Sequence, residues 1–207
     1  MNASYVSPRR GSVEDPLRTA VLISGSGSGL FALLNHQLSK PSCHVTKLII
    51  SDNKKSKGLH YGSKFDIPAF VMELPEAQDK IHRRILHEEA IHNQLIQSDI
   101  ELVVLSGYMR VLTPTFVKKW KGRLVNIHPS LLPKYPGVHA HRDALADGAK
   151  ITGCTVHLVD EGVDTGEILA QSETPIFADD TIEILQERVK KLEHLLYPKV
   201  LDHYCSK

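Results

Sequence analysis

The sequence is short of the features that mark a special environment. Cysteine occurs three times, at Cys43, Cys154 and Cys205. These are far apart and odd in number, so they form neither a metal signature nor a disulfide framework, which points to reduced thiols. Charge of one sign is not in excess: 25 Lys and Arg stand against 24 Asp and Glu, a formal net charge of +1. That supplies no electrostatic footprint for nucleic acid or an anionic membrane. No apolar run approaches the roughly 20 residues that span a bilayer. Residues 1–17 contain Pro8, Gly11 and Pro16 but no apolar run of a secretory signal, and Glu14 and Asp15 oppose a transit peptide. The expectation is a disordered extension over 1–17, one domain over 18–207, and a cytoplasmic protein. A length of 207 residues holds one sizeable α/β domain and no comfortable second one.

What the chain does have is alternation. Residues 20–24 read as a buried strand, followed by Gly25 to Gly29 (G-S-G-S-G) and a helical apolar pattern. Residues 44–51 form a second strand, 59–65 a short helix and 69–72 a short strand. A long helix is predicted over 75–97. Ile81, Ile85, Ala90, Ile91, Leu95 and Ile96 form its apolar side, and Arg83, Arg84, Glu88 and Glu89 its solvated face. Residues 101–106 are near-continuously apolar, as in a central parallel strand. Thr113 can cap the next helix, with Pro114 at its first position. A strand over 121–127, a short helix led by His139, His141 and Arg142, strands over 152–159 and from Gly166, and a final helix from about Asp180 or Thr181 complete the pattern. This order predicts a doubly wound, mostly parallel α/β sheet of about seven strands. The loop after residue 159 is too short for a crossover helix, so the last two strands should be antiparallel.

Four stretches carry chemistry. In V-N-I-H-P-S-L-L-P-K-Y-P-G, residues 125–137, Pro129, Pro133 and Pro136 make a stiff loop that is neither helix nor central strand. Asn126 and His128 alternate ahead of it, so an amide and an imidazole point the same way at a strand end, where open α/β sheets bind ligands. The glycine turn aims backbone N–H groups and a helix N-terminus at an anion, or merely permits a tight turn. It lacks the Lys-Ser/Thr of a P-loop, and Phe31 and Ala32 break the dinucleotide pattern, so Asp52 reads as part of a polar loop. Tyr108 to Leu112, after Gly107, line a pocket or belong to plain core. In D-E-G-V-D-T-G, Asp160 and Glu161 read as a polar turn. Asp164 precedes Thr165 and Gly166, which lets the backbone wrap a ligand. His128, His139 and His141 lack the spacing of a zinc site, so a metal is disfavoured.

Together G-S-G-S-G, G-Y-M-R-V-L, the proline loop and D-E-G-V-D-T-G resemble the folate-dependent formyltransferases over roughly residues 19–203, and within them the branch that formylates glycinamide ribonucleotide. The resemblance implies a Rossmann-like formyltransferase fold and passage of the formyl group of 10-formyltetrahydrofolate to the amine of glycinamide ribonucleotide, in purine synthesis. It implies catalytic roles for Asn126, His128 and Asp164. It implies ribonucleotide contacts for Ser26, Gly27, Ser28 and Gly29 and for Lys190, Lys191, Leu192 and Glu193. It implies folate contacts for Arg84, for Met109, Arg110, Val111 and Leu112, and for Asp160, Glu161, Gly162, Val163 and Asp164. No metal, nucleic acid or membrane partner is implied, and the protein would be a monomer or homodimer. The chain departs from the family at Ser26 and Gly29, where asparagine is common, and at Thr165, where glycine is common. The methionyl-tRNA formyltransferases share the acidic loop but carry a further tRNA-binding domain, for which the chain has no room after its last helix.

The expected chemistry is direct acyl transfer. Asn126 and protonated His128 donate to the developing oxyanion, a type of contact worth roughly 10²–10³ in rate. Asp164 holds the imidazole charged by Coulomb attraction and positions a water that relays a proton. Formyltetrahydrofolate hydrolysis, formylation of a sugar nucleotide, and plain folate or nucleotide binding are the competing readings, since fold alone does not decide among them.

Overall fold

A computed structural model describes residues 8–207 of the chain. Its frame is one seven-stranded sheet. The strands are β1 (Leu17–Ile23), β2 (His44–Ser51), β3 (Ala69–Val71), β4 (Leu102–Leu105), β5 (Leu124–His128), β6 (Ile151–Leu158) and β7 (Ile168–Pro175). The helices are α1 (Ser28–Ser39), α2 (His60–Phe65), α3 (Lys80–Gln97), α4 (Pro114–Lys119), α5 (Ala140–Ala146) and α6 (Ile182–Cys205). The order across the sheet is β3-β2-β1-β4-β5-β6-β7. The first five strands run parallel, as expected. β6 pairs antiparallel with β7, and also with β5, one antiparallel pairing more than the loop length predicts.

The central strands are apolar on both faces because both faces are covered. Leu17, Val21 and Ile23 of β1 pack with Leu30, Leu33 and Leu34 of α1 and with Val200 and Leu201 of α6. The alternate residues Ala20 and Leu22 pack on the other side, with Ile91 and Leu95 of α3 and Phe116, Val117 and Trp120 around α4. The two-residue period of a strand thus divides one sequence between two cores. Each fully buried Leu, Ile or Val side chain contributes about 1.5–3 kcal/mol.

Helix starts follow their caps. Thr113 Oγ1 accepts from Phe116 N–H with Pro114 at the first position, and Thr181 accepts from Ile184 N–H at the start of α6. The long helix begins at Lys80, not at residue 75, because the Asp79 carboxylate accepts from the N–H groups of Ile81 and His82. Its buried stripe is His87, Glu88, Ile91 and Leu95, while Ile81 and Ile96 are exposed. Glu88 is therefore not on a solvated face. It accepts from the N–H of Thr113 at 2.8 Å and from the Thr113 hydroxyl, tying α3 to the start of α4.

The expected disordered extension over 1–17 falls partly outside the described residues, which begin at residue 8. From there the chain is packed. Arg9 Nε lies 2.5 Å from Glu101 Oε1, buried Gly11 donates its N–H to Cys205 O at 2.7 Å, and Arg10 Nε donates to Ser206 O at 2.6 Å. β1 opens at Leu17, inside the expected extension. Among the described residues, no helix is long and apolar enough to cross a membrane.

Candidate active site

The sheet reverses its order at β1, which has β2 on one side and β4 on the other. Crossover connections diverge there and leave a crevice at the carboxyl ends of the strands. Two cavities occupy it, of about 220 Å³ and about 290 Å³. They meet across a shared wall of Gly107, Met109, Ile127 and Pro129.

The first cavity is largely apolar. Met109, Arg110, Val111 and Leu112 line one side, and Asp160, Gly162, Val163 and Asp164 the other. The 107–113 loop is braced from outside. Met109 N–H donates to Ser24 Oγ at 2.9 Å, Arg110 Nε lies 2.5 Å from Oδ2 of buried Asp52, and Arg84 Nη2 donates to Val111 O. Asp52 is thus no free loop carboxylate: its ion pair fixes the guanidinium of a residue on the cavity wall. Arg84 lies outside the lining and meets the cavity through that backbone oxygen. Glu161 is also outside it, exposed, and 3.6 Å from Lys118 Nζ.

Asn126, His128 and Asp164 all line this cavity. His128 Nε2 is 2.9 Å from Tyr135 O. A carbonyl only accepts, so Nε2 carries a hydrogen, and Nδ1 is the ring nitrogen that faces Asp164 Oδ2, at 3.3 Å. The proline loop therefore fixes which nitrogen is available. Asp164 sits at φ 56, and its Oδ2 accepts from Gly137 N–H at 2.8 Å, so the β6–β7 loop is tied to the proline loop through the carboxylate itself.

The motifs did not single out His157. It pairs directly with Asn126 across β5 and β6. Its Nδ1 donates to Leu158 O at 2.9 Å, which leaves Nε2 to accept from Asn126 Nδ2 at 3.2 Å. Burial holds the His157 pKa below its ordinary value, consistent with that neutral tautomer. The Asn126 amide is thereby oriented. Only strand register brings the two residues together, and no local pattern in T-V-H-L announces it.

The glycine turn forms one wall of the second cavity. Gly27 precedes α1 at φ 71, and a Cβ there would lie 2.6 Å from Gly58 Cα. Ser26, Gly27, Ser28 and Gly29 all line it. The first N–H groups of a helix have no partner within it and suit an anion. Opposite stand Lys190 and half-buried Glu193, whose carboxyl is pushed up to about 7 by burial. Lys191 is exposed and Leu192 packs beside Leu185 and Val189. Three residues apart on a helix share a face, so of the stretch 190–193 only the two ends reach the cavity. His141 also lines it, and burial lowers its pKa. Its neighbour His139 precedes α5. No group of three or more His, Cys, Asp or Glu with metal-binding geometry occurs among the described residues.

Comparison with known proteins bears on this crevice. Residues 17–201 match the family model described as formyl transferase. The chain is 46% identical over 186 residues to the trifunctional purine biosynthetic protein adenosine-3 of Chironomus tentans, covering 89% of the chain but only 13% of that protein. It is 38% identical over 182 residues to the phosphoribosylglycinamide formyltransferase of Bacillus subtilis, covering 88% of the chain and 91% of that protein. The crystal structure of glycinamide ribonucleotide transformylase 1 from Symbiobacterium toebii superposes with a TM-score of 0.87 at 35% identity, covering 92% of this chain and 88% of that one.

Proposed function

The chain belongs to the formyl transferase family, and from that premise we propose that it transfers the formyl group of 10-formyltetrahydrofolate to the amine of glycinamide ribonucleotide in purine synthesis. The observation that carries the reading is the pair of cavities meeting at one wall, with Asn126, His128 and Asp164 on the apolar side of it and the glycine turn on the other. An apolar cavity with a few convergent polar groups suits a pterin and its linker, and a backbone cradle beside a lysine suits a phosphate monoester.

The chemistry is acyl transfer without a covalent enzyme intermediate. The ribonucleotide amine attacks the formyl carbon, a C–N bond forms, and negative charge moves onto the formyl oxygen. Asn126 Nδ2 and His128 Nδ1 donate to that oxygen; Nε2 is engaged with Tyr135 O and cannot. Asp164 compensates the imidazolium electrostatically. Through one water it carries a proton from the attacking nitrogen to the departing folate nitrogen as the second C–N bond breaks.

The test is a transfer assay with purified protein and 10-formyltetrahydrofolate, with and without the ribonucleotide, following tetrahydrofolate release, with His128→Ala as control. Turnover that requires the ribonucleotide and falls strongly in the control supports the reading. Turnover without it means hydrolysis, and near-normal kcat in His128→Ala overturns the catalytic assignment.

A further inference from the structure

The glycine turn has a neighbour from a different strand. Ser106 follows β4 and is 9% exposed. Its side chain faces the second cavity beside Gly29, and a Cβ built on Gly29 would lie 2.4 Å from Ser106 Oγ. A Cβ at that distance would force the Ser106 hydroxyl, the end of a small rotatable side chain, to turn away, so the two residues compete for one volume. Among the described residues no protein group hydrogen-bonds that hydroxyl. The backbone N–H of Ser106 is used by Leu22 O at 3.0 Å, and Ser28 Oγ has its own neighbour in His194 Nε2 at 3.3 Å. Ser106 Oγ is thus without a protein partner and open to the second cavity, beside the first turn of α1. A ligand oxygen entering that cavity can pair with it.

We infer that Ser106 is a substrate-binding residue, which donates its hydroxyl hydrogen to the phosphate oxygens of the ribonucleotide and supplies from β4 the polar contact that Gly29 cannot supply from α1. The inference rests on the reading of the glycine turn as a phosphate site. It predicts coupling: residues 29 and 106 share one volume, so one of them carries the side chain and the other yields space.

The test compares Ser106→Ala, Gly29→Ala and the double variant in the transfer assay, with thermal melting as a check on the fold. Ser106→Ala removes one oxygen and leaves a small side chain. It should raise KM for the ribonucleotide about tenfold, the size of one hydrogen bond to a charged group, with KM for the folate and kcat nearly unchanged. Gly29→Ala should lose more, and in the double variant that extra loss should shrink because the clash is gone. An unchanged ribonucleotide KM in Ser106→Ala, or equal shifts in both KM values, overturns the proposal. So do strictly additive effects of the two substitutions. If the unmodified protein shows no ribonucleotide-dependent turnover, the transferase reading fails on its own. Calorimetric titration with ribose 5-phosphate then decides: weaker binding in Ser106→Ala supports the residue's role, and equal or absent binding in both proteins ends it.

Discussion

The two cavities share a wall and little else. The first is made of side chains: Met109, Val111 and Val163 supply apolar surface, and charged groups outside the cavity, Asp52 and Arg84, hold its loop. The second is walled on one side by the backbone of the glycine turn, where a Cβ at Gly27 would lie 2.6 Å from Gly58 Cα. A side-chain pocket tolerates exchange of one apolar residue for another, since shape can be recovered by repacking. A backbone cradle has no such latitude, because its shape is the chain's own path. The two halves should therefore respond differently to mutation, and the residues between them should affect turnover rather than either affinity.

The largest expected effect is at the junction. Asp164→Asn removes the charge beside His128 Nδ1 but keeps an acceptor for Gly137 N–H, so kcat should fall about 10²–10³-fold while both KM values stay within a few-fold. A steady-state analysis that found the loss in either KM alone would dissolve the distinction between junction and cavities. Next is Gly27→Ala. Positive φ and a 2.6 Å approach to Gly58 Cα should destabilise the fold by about 1–3 kcal/mol and raise KM for the phosphorylated substrate, leaving the folate KM in place. Val163→Asp tests the opposite cavity: the folate KM should rise about tenfold, with ribonucleotide KM and melting temperature nearly unchanged.

The smallest effect on the kinetic constants lies away from both cavities and is a control for them. His44 is buried beside Asp202 Oδ1 at 3.4 Å, with Gln37 Nε2 donating to its Nδ1 at 2.8 Å and His36 on the same carboxylate. Burial, the largest cause, lowers its pKa to about 4. The unfolded chain then takes up the proton first, so this contribution to stability is complete above about pH 6.5 and is lost as pH falls towards 4, by up to about 3 kcal/mol. His44→Gln should flatten that part of the denaturation profile without altering either KM. A cavity affinity that changed with it would mean that the base of the sheet is coupled to its ligand edge.

The sequence showed the alternation of elements and the two antiparallel closing strands because each depends on local patterns: hydrophobic period, proline and glycine spacing, and helix caps such as Thr113, whereas the grouping of Asn126, His128 and Asp164 was implied by the resemblance of their motifs. What it hid is long-range. Glu88 looks like one more charge on a helix until its helix lies against Thr113. His157 looks like strand filling until register sets it opposite Asn126. Lys191 and Leu192 share a motif with Lys190 and Glu193 but not a helix face. The glycine at 29 reads as a departure from its family until Ser106 is seen in the space beside it. In each case a residue 25 or more positions away supplies the reason, apart from the helix face, which needed only its rotation. α6 also runs through Pro198 to Cys205, although an interior proline ordinarily ends or kinks a helix.

The hydrogen bond from Gly11 N–H to Cys205 O places the beginning and the end of the fold within 2.7 Å of each other. Topologically the domain is almost a ring. A short linker could join the two ends and new ends could be opened elsewhere, for instance at the turn around Gly148 between α5 and β6, without cutting either cavity-lining loop. Such a rearranged chain would keep all seven strands but encounter them in a different order during synthesis, which separates what the fold owes to its contacts from what it owes to its direction of growth.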